Sequence, residues 1–339
     1  MSEPAPLRLA TMIFIRSYWR KLSAIGVGAI LALVAPSAGA QAYPARPIRL
    51  IVPYSTGSAT DSLARLIADK LTVSLGQAVV VEDQPSANGI PASTAVAKVV
   101  PDGYTLIMIA ANHVVNPSLY RNVPFDPVKD FKPIVRVAFA PFILTVNPSL
   151  PVNTLKEFIA YAKAHPGEIN YASPGNGSPA HLATELLKTE TGINLTHIPY
   201  KAAAQAMTDV IAGHVPVMIV VASAAIPQIK AGHLRALGVT TTVRLPQLPE
   251  VPTIDEAGVK GFEMISWIGI AGPAELRPEV VSKLSGEITR IVQQPDTARR
   301  ISGLGLEMSL MQSAQFAEYM SREEARWAEV VRRSGARLD

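Results

Sequence analysis

Residues 48–54 carry Ile48, Leu50, Ile51 and Val52 in a near-continuous apolar run that Pro53 interrupts. A run of this kind suits a parallel strand covered on both faces. Behind it comes a turn of small and hydroxylated residues, Tyr54-Ser55-Thr56-Gly57-Ser58-Ala59-Thr60-Asp61, and then Leu63, Leu66, Ile67 and Leu71 recur at helical spacing. Thr60 is the expected N-cap of that helix. Residues 78–81 predict a second strand, 92–99 a second helix and 104–110 a third strand, with Pro101-Asp102-Gly103 as the stop before it. The resulting βαβαβ order implies a parallel sheet with right-handed crossovers.

Residues 130–147 are rich in β-formers but contain Pro133 and Pro141, and read as two extended segments in succession that carry the chain from one domain to another. Thr154 and Glu157 form a capping box for the next helix. Strand, turn and helix then recur over 169–188, 195–212 and 215–230, giving a second α/β unit. After a strand at 234–240, Thr253 and Glu256 repeat the capping box ahead of a short helix, and the apolar stretch 262–271 is the expected return crossing. Helices are expected over 278–292 and 313–333, the latter with Phe316, Met320, Trp327 and Val330 on one stripe, read as core with no ligand role. The domains predicted are residues 43–143 with 264–339, and 144–263.

The first 42 residues follow a different pattern. Arg16, Arg20 and Lys21 precede an apolar run over 22–34 and a small-residue segment with two A-x-A sites, so cleavage is expected after Ala40 or Ala42. The apolar run is shorter than the roughly 20 residues of a spanning helix. This leader holds Arg8, Arg16, Arg20, Lys21 and one acid, Glu3, so removing its net +3 from the formal +4 leaves +1. That balance, without a basic cluster interleaved with aromatics, excludes nucleic acid as a partner. With no cysteine there is no disulfide, thiolate metal site, cysteine nucleophile or lipid-modified N-terminus. An exported, unlipidated, soluble protein belongs in the periplasm.

Candidate chemistry is confined to turns. The turn from Tyr54 to Asp61 opens a helix whose free N–H groups and partial positive charge suit a carboxylate or phosphate. Asn112 and His113 follow the third strand, at the end of an open sheet where ligands sit. Gly175, Gly177 and Ala180 satisfy G-x-G-x-x-A, but no acid follows near 20 residues on and Pro179 interrupts the motif, so Ser178 reads better as a helix cap. Asp61 suits helix capping, the ordering of bound water, or contact with a ligand amine. The six histidines, with no H-E-x-x-H, G-x-S-x-G or S-x-x-K motif, support neither a metal, a cofactor nor a catalytic residue.

Several segments together resemble the Bug proteins, extracytoplasmic solute receptors associated with tripartite tricarboxylate transporters. The resemblance rests on Tyr43-Pro44, Gly57 with Asp61, Pro101-Asp102-Gly103-Tyr104, Asn116-Pro117-Ser118-Leu119-Tyr120, and Tyr171-Ala172-Ser173-Pro174-Gly175-Asn176-Gly177-Ser178 followed by His181. Pro199-Tyr200-Lys201, Leu248-Pro249-Glu250-Val251-Pro252-Thr253 and Ser266-Trp267 extend it over the whole mature chain. It implies a type II periplasmic-binding-protein fold, two α/β domains with hinge crossings closing over a ligand cleft. It further implies a monomeric receptor, without enzymatic activity, that captures a small carboxylate for membrane transporter subunits or for a sensor protein. Carried over by residue, Tyr54, Thr56, Gly57, Ser58, Asp61, Ala87 and Asn88 would contribute from the first domain, beside Asn112 and His113. Asn176, Gly177, Ser178, His181, Tyr200, Lys201 and Ala202 would contribute from the second. Ser58 and Ala202 stand where the family has glycine, and Pro216 and Val220 where acids are common, which predicts a less polar second wall. The alternatives are a secreted α/β hydrolase and a receptor fold that has lost ligand capture.

Overall fold

The computed structural model describes residues 43–85 and 87–338. The chain divides into two units, Met1–Ala45 and Arg46–Asp339, and every element below belongs to the second. The leader and its cleavage sites lie outside the described residues.

The first sheet begins as the apolar pattern predicts, with β1 (Ile48–Val52), helix α1 (Ala59–Leu75), β2 (Val79–Asp83), a 3-10 turn at Ala87–Gly89, α2 (Ile90–Val96) and β3 (Thr105–Ala110). β1 pairs in parallel with both β2 and β3. Ile48, Leu50, Ile51 and Val52 are all buried, which is why the run lacks alternation. Asn112 and His113 do not end in a loop: they open an unforeseen helix, α3 (Asn112–Leu119), with Pro117 in its last turn.

The two extended segments expected over 130–147 are one strand, β4 (Phe131–Val146). Its prolines stand where the ladder breaks. Pro133 stands at a register shift against β9 (Ile265–Pro273), and Pro141 is the last residue paired to β9 before Phe142 takes up β7 (Val217–Val221). A residue without an N–H is tolerated at such breaks in the ladder. The second half of β4 continues into the order β7, β5 (Asn170–Ser173), β6 (Thr196–Pro199), with β8 (Arg235–Val239) on its other side. Helices α4 (Leu155–Ala164), α5 (Pro179–Thr191), α6 (Ala203–Ile211) and α7 (Ala222–Lys230) alternate with these strands.

Thr240, fully buried, braces the crossings. Its N–H donates to Phe142 O and its Oγ1 accepts from Phe142 N, while its own carbonyl accepts from Met264 N just before β9. At Gly269 in β9 a Cβ would sit 2.5 Å from the Phe316 ring, so only glycine allows that packing. The capping box at Thr253 and Glu256 forms both reciprocal bonds, each at 2.9 Å, but caps no helix. The segment stays a turn, and Gly258 at φ 116° leaves helical space at once.

The chain closes with α8 (Pro278–Val292), α9 (Pro295–Gly303), β10 (Glu307–Gln312) on β4, and α10 (Ser313–Ser334). α9 and β10 were not expected. α10 packs against α3, β4 and α5, tying the carboxyl end of the chain to both halves of the sheet. Among the described residues no helix is long and apolar enough to cross a membrane.

Candidate functional site

At the start of α1 the cap is Ser58, not Thr60. Ser58 is extended, at φ −65° and ψ 160°, and its Oγ accepts from Asp61 N at 3.2 Å, while Thr60 is already helical and turns toward a cavity. Asp61 is buried and committed to the turn, its Oδ2 accepting from Gly57 N at 2.7 Å and its Oδ1 facing Arg65 Nε at 2.7 Å. Arg65 also reaches Asp83, which accepts from Thr56 Oγ1 at 2.7 Å. Thr56, Gly57, Ser58 and Asp61 therefore build the turn without lining the cavity. Asp61→Ala is expected to cost about 1–3 kcal/mol in urea unfolding, the range for a lost buried bond to a charged group. Ligand affinity should change less than threefold; a larger loss would return Asp61 to direct contact.

A second turn is fixed by amides. Asn88 adopts a left-handed conformation, φ 49° and ψ 23°, and its carbonyl accepts from Asn112 Nδ2 at 2.8 Å and Asn116 Nδ2 at 3.0 Å. Its own Nδ2 donates to the Tyr120 hydroxyl at 2.8 Å. The Tyr54 hydroxyl donates to Asn112 Oδ1 at 2.7 Å, and burial raises the Tyr54 phenol so that it stays protonated. Ala87 contributes backbone to this turn, and Ser86 lies outside the described residues.

Across the cavity, Ser178 caps α5, its Oγ accepting from His181 N at 3.3 Å. Gly177, at φ 71°, donates its N–H to His181 Nδ1 at 3.0 Å, and a Cβ there would meet Leu338 Cδ1 at 2.7 Å. His181 stacks on His197 at 4.2 Å, and His197 on Tyr171 at 4.8 Å. Burial lowers both histidines, His197 to about 4 with His181 adding to the effect, so the stack is neutral. His181 thus supports the Gly177 turn from behind and does not line the cavity.

Tyr54, Asn88, Asn112, Asn176, Gly177 and Ser178 are brought together around a cavity of about 390 Å³. Thr60, Ala110, Ala111, Val115, Pro174, Pro179, Leu182, Met264, Ser266 and Trp327 complete its wall, and among the described residues no lining side chain is charged. The starts of α1, α3 and α5 converge there. The N–H groups of the lining residues Thr60, Asn112 and Asn176 find no acceptor among the described residues. First-turn donors of this kind carry the positive end of the helix dipole and favour an anion.

Several expected contacts lie elsewhere. His113 points into the core, stacked on Phe125 at 5.2 Å and edge-on to Phe131 at 4.5 Å, because α3 turns it away from the cleft. Tyr200 donates its hydroxyl to Asp209 at 2.7 Å, and Lys201 and Ala202 are exposed outside the cavity wall. Trp327, read from its stripe as core alone, is both buried and on the wall. Its helical spacing was visible; the neighbour it faces was not. Ser266 stood within the Ser266-Trp267 motif, whose order in the chain was the only available signal.

The family model described as tripartite tricarboxylate transporter family receptor matches residues 63–336. A UPF0065 protein from the tcbD-tcbE intergenic region of Pseudomonas sp. strain P51 is 36% identical over 308 residues, spanning 90% of this chain and 92% of its own. BugT of Bordetella pertussis is 35% identical over 321 residues, 94% of this chain and 98% of its own. Among solved structures, R. palustris Rpa4515 with adipate is 36% identical with a TM-score of 0.71, covering 87% of this chain and all of its own (100%). A TctC solute-binding protein from Polaromonas, without ligand, is 29% identical with a TM-score of 0.78, covering 86% and 99%. MatC from Rhodopseudomonas palustris, with bound malate, is 30% identical with a TM-score of 0.67, covering 85% and 100%. The curled α/β sheet with its flanking helices is the periplasmic-binding-protein-like fold of these receptors. On matches of this extent, the chain belongs to the tripartite tricarboxylate transporter receptor family.

Proposed function

We propose that this protein is a periplasmic solute-binding receptor that captures a small organic carboxylate and delivers it to the membrane subunits of a tripartite tricarboxylate-type transporter. The observation that carries this reading is the convergence of three helix starts, with open N–H groups, on one cavity whose wall, among the described residues, has no charged side chain. An anion there is neutralised by hydrogen bonds and dipoles, and water excluded by closure strengthens each bond. The adipate and malate carried by two structural relatives belong to the same chemical class. Capture proceeds without reaction: the polar groups on the wall include amides and hydroxyls, and His181, beneath the Gly177 turn, spends its Nδ1 on Gly177. The two halves of the sheet act as lobes, hinged where β4 passes from Pro141 to Phe142 and where the chain returns at Met264.

The test is a thermal-shift screen of the exported protein, refolded to strip bound ligand, against carboxylates, amines and neutral sugars. A carboxylate at 100 times its dissociation constant adds about 2.7 kcal/mol and raises the midpoint by several degrees. Saturable shifts from amines or sugars, with none from carboxylates, would overturn the proposal.

A further inference from the structure

A second cavity, of about 360 Å³, adjoins the first, and Pro174 and Pro179 stand in the walls of both. It lies at the carboxyl ends of β5 and β7, against the first turns of α5, α6 and α7. Every residue around it is apolar, and the wall facing the space is carbon and sulfur almost throughout. Phe142, Met218 and Val220 form its floor from the sheet, all buried, and Met207 closes one side. The space exists because the helix starts supply alanines, among them Ala180, Ala204 and Ala224, where larger side chains would fill it. The cavity is open at a rim that includes the exposed Ala203 and Ala204, and an apolar cavity beside a polar one suits an amphipathic molecule.

We infer that the second cavity is the subsite for the body of the ligand, and that the preferred ligand is a monocarboxylate with an aliphatic chain or aromatic ring. This rests on the carboxylate reading above, with the carboxylate in the first cavity and the body passing between Pro174 and Pro179. A distal carboxylate has no counterpart there: the Tyr200 hydroxyl is turned to Asp209, and Lys201 is outside the wall. Burying a second charge against carbon costs affinity. Each methylene placed in the cavity gains it, by about fourfold. The two methionines adapt to differently shaped bodies.

Titration calorimetry of the exported, ligand-stripped protein with acetate, butanoate, hexanoate, phenylacetate and adipate tests this. Affinity is expected to climb about fourfold per methylene from acetate to hexanoate, with hexanoate at least tenfold tighter than adipate. Ala224→Leu should weaken hexanoate at least tenfold and leave acetate within about twofold. Ala204→Leu, at an exposed position on the rim, should act in the same direction and serves if the first variant does not fold. Adipate binding as tightly as hexanoate, with no trend along the series, would overturn the apolar subsite and leave the carboxylate receptor standing. No heat from any of the five acids, with the protein folded, would overturn both.

Discussion

Trp327→Ala is expected to lower the unfolding free energy by about 3–5 kcal/mol, the range for removing a large aromatic from a packed core. The indole is 2% exposed, and its Nε1 donates to Glu323 Oε2 at 2.9 Å. Truncation therefore opens a void and removes a donor from a carboxylate that is itself 8% exposed. Arg326, with Nη1 at 3.4 Å, is the remaining partner of Glu323 on α10. The thermal midpoint should fall by about 5–8 °C. Since Trp327 also lines the first cavity, carboxylate affinity should fall in the same variant, and Trp327→Phe should recover most of the stability but not the bond to Glu323. Urea unfolding followed by circular dichroism, which does not depend on the lost fluorophore, measures the change. A loss below about 1 kcal/mol would mean that the site collapses around the smaller residue and that α10 is not held through this side chain.

That α10 is a helix was readable from its stripe, and so were β1, β3 and α8, because each carries enough apolar residues at one period to leave no second solution. What failed was local and has local causes. α3 is eight residues long, begins with Asn112 and His113 and contains Pro117, so its own residues argue for a loop and its formation depends on packing against α10. β4 was split at its prolines because a proline normally ends a strand, whereas here Pro141 marks the exchange of β9 for β7. α9 buries only Thr297 and Ile301, too little to produce a period. At Thr253 and Glu256 the capping bonds form without a helix, because a cap satisfies a terminus but does not propagate one.

The site divides along the same line. Turns that precede helices announced Tyr54, Asn88, Asn112, Asn176, Gly177 and Ser178, since free N–H groups and small residues are sequence-local properties. Met264, Ser266 and Trp327 reach the cavity from β9, the segment before it, and α10, and only the crossing topology brings them there. The same division separates the lining residues from the turn-forming Asp61 and the buried His113. An acid or histidine beside a cleft looks the same in sequence whether it faces the ligand or holds the wall.

His113 holds the wall, and its burial makes stability depend on pH. The ring is 3% exposed among Phe125 and Phe131, with Nε2 donating to Pro127 O at 3.2 Å and Nδ1 3.5 Å from Ser93 Oγ. Burial outweighs the bond to Pro127 and brings its pKa down from 6.5 to about 4. The unfolded chain takes up a proton below about pH 6.5 and the folded protein only below about pH 4, so the unfolded state binds more protons throughout that window. The stability that neutral His113 maintains above pH 6.5 is therefore lost as pH falls toward 4, by about 3 kcal/mol in all. His197, also lowered to about 4, and His181 act with the same sign, so the full slope of the wild-type protein is steeper. His113→Phe isolates the His113 share, since a phenyl ring suits the aromatic pocket and cannot titrate. Urea unfolding at pH 7, 6 and 5 should find the variant less sensitive to acid at each step. Parallel pH profiles for variant and wild type would mean that water reaches the ring and that the core beneath α3 is looser than its packing indicates.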